Sequence, residues 1–227
     1  MPVVERPDTA RISWESDGPE DAPAVLLLMG LAYPAAMWFR LVPALAESYR
    51  VIRIDNRGAG RTGDVPGAPY TVETMAADSL AVLDAADVDT AHIVGISMGG
   101  LIAQEIVLTA PERVRSLCLI ATHPGIPHAV MNPQAMAMLT QRGQMTPQEA
   151  AEASIPYNYA PETPRERIEE DWAVRFPLAA SNEGYLAQVV GSSRWDGYGR
   201  MEGITAPTLV VHGELDALVP PENGRII

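Results

Sequence analysis

A serine flanked by glycines is the residue in this sequence best placed for covalent chemistry. Gly95-Ile96-Ser97-Met98-Gly99 follows a β-type run, His92 to Val94, and precedes a helical run with apolar residues at Leu101, Ile102, Ile106 and Val107. A serine on a strand-to-helix turn adopts a strained backbone conformation, and glycines two positions away remove side chains that would collide with it. The pattern predicts a nucleophilic serine, although a glycine-rich turn of this kind can also be purely structural.

The position of Ser97 also predicts a site for negative charge. Ser97 stands at the start of a helix, where backbone N–H groups have no partner within the helix and the helix dipole favours an anion. Met98 supplies the N–H directly after the serine, which forms one half of an oxyanion hole in enzymes that use such a turn. We therefore expect acyl-transfer chemistry at Ser97.

Alternating strands and helices surround this turn. Apolar runs without polar alternation indicate strands that are covered on both faces. The rhythm predicts an α/β protein with a mostly parallel sheet and helices on both faces, and ligands bind such sheets at the carboxyl ends of the strands. After an opening hairpin in residues 3–15, the predicted strands are Ala24–Met29, Arg50–Asp55, His92–Val94, Ser116–Ala121 and Thr208–Val211, with helices predicted over Ala35–Ser48 and from Thr71.

Residues 125–203 interrupt this rhythm and predict a helical insertion. Thr146-Pro147-Gln148-Glu149 and Thr163-Pro164-Arg165-Glu166 are helix starts of the capping-box type, each with proline at the first helical position. We expect residues 1–124 and 204–227 to form the core and residues 125–203 a helical cap. Methionine and aromatic side chains of the cap would line an apolar pocket or pack against the core.

The composition is that of an acidic globular chain. Its 227 residues are 47% hydrophobic, and the formal net charge is −13 with arginine as the only strong base. One sizeable core is therefore expected, and nucleic acid is not expected as a partner. Neither a membrane span nor a signal peptide is recognisable, so we expect a cytoplasmic protein. The single cysteine, Cys118, lies in a strand-like run and is expected to be buried.

Several motifs lie in order along the chain from about Val25 to the last residue. They are Met29-Gly30-Leu31, Asp55-Asn56-Arg57-Gly58-Ala59-Gly60, Gly95-Ile96-Ser97-Met98-Gly99-Gly100, Pro111-Glu112-Arg113-Val114 and Pro207–Gly213 with Asp216 and Val219-Pro220. Together these motifs resemble those of the α/β-hydrolase family, and the resemblance implies the α/β-hydrolase fold with a helical cap. Within the family, the chain is most similar to β-ketoadipate enol-lactone hydrolases and small-molecule carboxylesterases.

The resemblance implies roles for four residues. It makes Ser97 the nucleophile, Asp216 the acid that orients a histidine base, and the backbone N–H groups of Leu31 and Met98 the oxyanion hole. An ester or lactone would then be hydrolysed through an acyl-enzyme without a metal or organic cofactor. Perhydrolase and carbon–carbon bond hydrolase activities use the same triad and remain open. Asp55 and Arg57 are expected to brace their turn.

The catalytic histidine is not where the resemblance requires it. In the family it follows the acid along the chain, but His92, His123, His128 and His212 all precede Asp216. We expect the histidine, with a final strand and helix, to lie beyond Ile227, so that the 227-residue chain is a nearly inactive fragment. The alternatives are His123 or His128 as a substitute base, and a hydrolase-fold protein that binds a small ligand without turnover.

Two expectations concern partners. With Thr208–Val211 as an edge strand, the chain is expected to dimerise or aggregate through unpaired backbone and uncovered apolar surface. The cap, rich in methionine and aromatic residues within an acidic chain, favours a small, largely uncharged ester or lactone. An anionic lactone would need a cation in the pocket. Arg142, Arg175 and Arg194 of the insertion are the candidates, but the sequence favours a solvated surface position for each of them, and with it a pocket without a cation.

Overall fold

A seven-stranded sheet forms the centre of the computed structural model, which describes residues 1–68 and 70–227. The strand order is β1-β2-β4-β3-β5-β6-β7, and the strands from β4 to β7 run parallel, as predicted. The first two strands form the expected antiparallel hairpin at one edge. The strands are β1 (Val3–Glu5), β2 (Arg11–Asp17), β3 (Ala24–Leu28), β4 (Arg50–Ile54), β5 (Ala91–Ile96), β6 (Val114–Ile120) and β7 (Thr208–Val211).

Burial on both faces explains why the sequences of the central strands are unbroken apolar runs. Every residue of β3 is buried, because helices cover both faces of this strand. One face packs against α2 (Val72–Ala85) and α3 (Met98–Thr109), whereas the other packs against the segment that contains Trp38 and α1 (Val42–Leu45). The hydrophobic core therefore lies on both faces of β3.

The two helices predicted in the N-terminal half of the chain have different outcomes. The helix predicted from Thr71 is confirmed, because α2 begins at Val72 with Thr71 as its N-cap. The Thr71 hydroxyl caps the helix by accepting a hydrogen bond from the Thr74 N–H at 3.2 Å. The continuous helix predicted over Ala35–Ser48 is wrong: a 3-10 helix spans Ala35–Arg40, and α1 has only four residues. Pro43 at the start of α1 has no N–H to continue the hydrogen-bonded ladder from the first segment.

Four helices lie between β6 and β7: α4 (Pro133–Arg142), α5 (Pro147–Asn158), α6 (Arg165–Arg175) and α7 (Asn182–Ser193). The capping box predicted at Thr146 and Glu149 is confirmed. The second predicted capping box is wrong, because α6 has Pro164 as its N-cap and no side chain caps it. Thr163 instead donates its N–H to the Ala160 carbonyl in the preceding turn.

The strand β7 differs from the rest of the sheet in its exposure. It pairs with β6 on one side and forms the sheet edge, as predicted. Leu209 and Val211 are 60% and 42% exposed, in contrast to the fully buried β3. The chain then turns into α8 (Asn223–Ile226). Within the described residues, no helix is long and apolar enough to cross a membrane.

Candidate active site

Ser97 occupies a strained turn between β5 and α3. Its backbone angles are φ 53° and ψ −120°, outside the conformations that a residue with a side chain ordinarily adopts. A Cβ on Gly95 would overlap the Gly99 carbonyl, and a Cβ on Gly99 would overlap the Leu28 carbonyl of β3. Both glycines are therefore required by close backbone packing, which gives the predicted pentapeptide a structural reason.

The end of β6 holds the backbone of this turn. The Ser97 N–H donates to the Ile120 carbonyl at 2.9 Å, and the Thr122 hydroxyl donates to the Ser97 carbonyl at 2.8 Å. The Ser97 hydroxyl makes no hydrogen bond to another described residue, and the residue is partly exposed. The serine is thus fixed through its main chain, with its hydroxyl open to a ligand.

Two backbone N–H groups near Ser97 are available as donors. Met98 is the first residue of α3, so its N–H has no partner within the helix. The loop that carries Leu31 packs directly on the serine, since a Cβ added to Gly30 would lie 3.3 Å from the Ser97 Cβ. Neither the Leu31 nor the Met98 N–H donates a hydrogen bond to the residues that the structure describes. This arrangement suits stabilisation of an oxyanion.

Side chains remote in sequence brace the Leu31 loop. The Ala32 N–H donates to Oε1 of Gln188 at 2.7 Å, and the Ala35 N–H donates to Oδ1 of Asp55 at 2.6 Å. Gln188 is fully buried on α7, and its Nε2 donates to the Arg57 carbonyl. Asp55 was expected only to brace its own turn, whereas Gln188 was not predicted at all.

The sequence contains a weak signal for Gln188. It lies on one face of α7 with Gly184 and Gly191, at spacings of four and three residues. Small residues on a helical face allow close approach to another backbone: a Cβ on Gly191 would overlap the Tyr70 carbonyl, and one on Gly184 would meet the backbone of Gly58. A polar residue between them on that face is therefore brought against the core.

Asp216 lies in the turn after β7, where its carboxylate is partly occupied. Oδ1 accepts the N–H groups of Leu218 and Val219 at 3.0 and 2.8 Å. Oδ2 accepts no hydrogen bond from the described residues and lies 3.7 Å from His212 Nε2. Burial raises the pKa of this carboxyl above its ordinary value, opposed by the two backbone hydrogen bonds. One carboxylate oxygen thus remains available to a base.

The sheet register relates Asp216 to Ser97. Ile96 pairs with Ile120, and Ile120 pairs with Val211, so these three strands end at the same level. Neighbouring strands lie about 4.8 Å apart, which places the backbones of Ile96 and Val211 about 10 Å from one another. Ser97 and the loop that carries Asp216 therefore follow strand ends on the same side of the sheet, its carboxyl end. Only β6 lies between the two strands β5 and β7 that precede them.

Each histidine ring has a partner away from the serine hydroxyl. His92 Nδ1 lies 2.7 Å from the Ser116 hydroxyl, and His212 Nε2 donates to the Val219 carbonyl at 2.7 Å. His128 stacks on Tyr198 and places Nε2 3.5 Å from the Asp196 carboxylate. In the described part of the chain, no imidazole hydrogen-bonds Ser97.

His123 is the histidine closest along the chain to the residues that hold the serine turn. Its Nδ1 accepts the Gly125 N–H at 3.1 Å, so the proton of the neutral ring resides on Nε2. Burial lowers the pKa of His123 to about 4, which keeps the ring neutral at physiological pH. A neutral ring with this tautomer offers a donor rather than a lone pair at its remaining nitrogen. The geometry therefore weighs against His123 as the general base.

Comparison with known proteins identifies relatives over nearly the whole chain. The family model described as "alpha/beta hydrolase fold" matches residues 23–227. A putative carbamate hydrolase of Variovorax paradoxus is 36% identical over 92% of this chain and 80% of its own length. A putative non-heme bromoperoxidase of Mycobacterium tuberculosis is 31% identical over 94% of this chain and 83% of its own.

A solved structure extends the likeness to three dimensions. The enol-lactonase of Burkholderia xenovorans superimposes on this chain with a TM-score of 0.82 and is 25% identical to it. The match covers 95% of this chain and 83% of the enol-lactonase. The likeness in fold therefore extends over nearly the whole of this chain.

Proposed function

Because the chain belongs to the α/β-hydrolase family, we propose that it hydrolyses carboxylic esters or lactones through an acyl-enzyme on Ser97. The observation that carries this proposal is the strained Ser97 turn, in which the hydroxyl is open while the main chain is held on β6. A carbonyl above Ser97 would place its oxygen between the N–H groups of Leu31 and Met98. These two donors would bind the oxyanion as the tetrahedral intermediate forms.

The proposed mechanism requires a base between Ser97 and Asp216. An imidazole there would take the Ser97 proton as the hydroxyl attacks the carbonyl carbon, and the Asp216 carboxylate would stabilise the resulting imidazolium. The same imidazolium then donates its proton to the leaving alkoxide, and water resolves the ester on Ser97. Since the four histidine rings are engaged elsewhere, we propose that a histidine outside these 227 residues is the base.

Covalent labelling tests the nucleophile. In protein expressed from its complete open reading frame, a fluorophosphonate probe is expected to label Ser97, and Ser97→Ala should abolish both labelling and 4-nitrophenyl ester hydrolysis. Ser193→Ala is the matched control, because Ser193 is exposed on α7 and hydrogen-bonds only within its helix. Labelling that persists in Ser97→Ala would refute the assignment.

The 227-residue chain alone tests the base. Without a histidine at Ser97, we expect only the weak catalysis that the oxyanion donors and substrate binding provide. Hydrolysis by this chain at a rate typical of enzymes, lost in His123→Ala or His128→Ala, would show that the base is internal.

A second candidate function is binding without turnover. The observation in its favour is that no described histidine engages the Ser97 hydroxyl. The codons that follow Ile227 discriminate the two: a downstream histidine in a Gly-His context favours the enzyme, whereas a stop codon favours the binding protein. Perhydrolase activity, suggested by the bromoperoxidase relative, would use the same serine with hydrogen peroxide in place of water.

A further inference from the structure

Two arginines of the insertion face one small cavity. Arg142 ends α4 and Arg175 ends α6, and both line this cavity with Met145, Asn182 and Tyr185. Arg175 is only 5% exposed. The space open to the centres of water molecules is about 30 Å³, and one water needs about 10–15 Å³ of such space. The cavity therefore has room for about two waters, or for one carboxylate group.

Neither arginine has an acidic partner among the described residues. Arg175 donates one hydrogen bond, from Nη1 to the Tyr33 hydroxyl at 3.0 Å, and the Arg142 guanidinium donates none. Asp171 lies one turn before Arg175 on α6, but its carboxylate is occupied by Arg40 at 2.8 Å and by the Tyr159 hydroxyl. The positive charges at this cavity are thus left without a counterion from the part of the chain that the structure describes.

Two other arginines of the insertion show the contrast. Arg165 pairs with Glu152 and Glu169, and Arg200 pairs with the buried Glu105. These arginines are more exposed than Arg175, yet each has a carboxylate within 3.0 Å. Arg175 is buried and Arg142 is partly buried. Charge withdrawn from water without a partner is costly, so an uncompensated pair inside the insertion indicates a ligand of opposite charge.

Aromatic rings hold both guanidinium groups in place. The Arg142 Cζ lies 4.6 Å from the centre of the Tyr185 ring, and the Arg175 Cζ lies 4.1 Å from that of Tyr33. The Tyr185 ring is itself fixed, because its hydroxyl donates to the Leu139 carbonyl at 2.6 Å. Stacking uses the face of a guanidinium and leaves its in-plane N–H donors free. Burial, and next the charge of Arg175, lowers the pKa of Arg142, as expected where like charges lie close together.

We propose that Arg142 and Arg175 form a binding site for a carboxylate group. A carboxylate matches the planar fork of a guanidinium and fits the cavity, and its single negative charge would offset the repulsion between the two arginines. The start of α7 at Asn182 lies on the same cavity and adds the favourable end of a helix dipole. The sequence favours an uncharged substrate, in a cap pocket that offers no cation. The proposed site would instead offer two arginines to a negatively charged ligand.

The site is connected to the proposed catalytic centre through Tyr33. The Tyr33 N–H donates to the Gly30 carbonyl at 3.2 Å, and Gly30 packs on Ser97. Asn158 Nδ2 and Arg175 Nη1 both donate to the Tyr33 hydroxyl at 3.0 Å. The carboxylate could therefore belong either to the acyl part of a substrate or to a free organic acid. The first source rests on the proposed hydrolase function, whereas carboxylate binding itself does not.

Calorimetry tests the site without any need for turnover. Glutarate is expected to bind the chain more tightly than its neutral analogue glutaramide. Arg142→Gln should weaken glutarate binding at least about tenfold, because hydrogen bonds to charged groups are lost. Arg194→Gln is the matched control, since Arg194 is an exposed insertion arginine away from this cavity. Arg142→Lys keeps the charge without the fork and should give an intermediate loss.

Equal binding of glutarate and glutaramide to the wild-type chain would overturn the proposal, and this comparison does not depend on how any variant folds. An unchanged affinity in a folded Arg142→Gln variant would overturn it as well.

Matched esters, assayed with protein expressed from the complete open reading frame, distinguish the two sources of the carboxylate. Mono-4-nitrophenyl glutarate and 4-nitrophenyl pentanoate have acyl chains of the same length and differ in a terminal carboxylate. If the carboxylate belongs to the substrate, Arg142→Gln lowers kcat/KM for the glutarate ester alone. If it belongs to a free acid, the variant loses glutarate binding but hydrolyses both esters like the wild type. Failure to hydrolyse either ester would count against the proposed function and leave the binding result standing.

Discussion

The turn at Ser97 and the turn at Asp216 are built in different ways. Ser97 sits beside the fully buried strand β3, where backbone packing leaves space only for glycine: position 99 packs on β3 and position 95 packs on the first turn of α3. The Asp216 turn follows the exposed edge strand β7 and is flanked by Leu215, which is 73% exposed. The first is held by close packing of the main chain, whereas the second relies on hydrogen bonds.

Two asparagines supply much of that second support. Asn132 Nδ2 donates to the Ala217 carbonyl, and the buried Asn223 exchanges two hydrogen bonds of 2.8 Å with the backbone of Val130. The start of the insertion therefore fastens the Asp216 turn and α8 to the domain. The comparison indicates that the geometry of the proposed nucleophile depends on the core, and that of the proposed acid on contacts with the insertion.

The largest expected difference concerns the strands beneath the two turns. Leu28→Ala in β3 should lower the free energy of unfolding by about 2–5 kcal/mol, because it removes a fully buried side chain and leaves a cavity. Leu209→Ala in β7 should cost less than about 1 kcal/mol, since most of its side chain already faces water. Urea unfolding of the 227-residue chain measures both. Comparable losses would mean that β7 is covered in solution.

A smaller effect is expected from alanine in the turns themselves. Gly99→Ala should cost about 1–3 kcal/mol, because its Cβ would overlap the β3 backbone, although alanine is otherwise the better helix former. Gly213→Ala is the matched control beside the acid, where the added Cβ would lie 3.9 Å from that of Asp216. It should change stability by no more than about 0.5 kcal/mol. Thermal unfolding that ranks the two substitutions in reverse would contradict the comparison.

The smallest effect is a pH-dependent one at Asp216. Burial raises the pKa of this carboxyl above the ordinary 3.8, so the folded state binds the proton more tightly than the unfolded chain does. The stability contributed by this group is present below pH 3.8 and is lost as the pH rises through the folded pKa. The free energy of unfolding of Asp216→Asn, relative to that of the wild type, should therefore be greater at pH 7 than at pH 3. Urea titrations at the two pH values test this, and an unchanged difference would refute it.

Local patterns were sufficient to predict the sheet and the serine turn. The buried strands read as apolar runs because both of their faces are covered, and the glycines around Ser97 are required by contacts within a few residues of the turn and with β3. Local patterns failed where two signals competed. Thr163 and Pro164 resemble a helix start, but the Thr163 N–H is used in the preceding turn and Pro164 becomes the cap.

The sequence by itself determined the fold class, the strained serine turn and the order in which the four histidines of these 227 residues precede Asp216. These follow from hydrophobic periodicity, glycine placement and residue order, all of which act over short distances along the chain. Only the tertiary structure decided that Gln188 braces the Leu31 loop and that Arg142 and Arg175 share a cavity without a carboxylate. The partners of these side chains lie up to 156 residues away, and which charges remain unpaired depends on where whole helices pack.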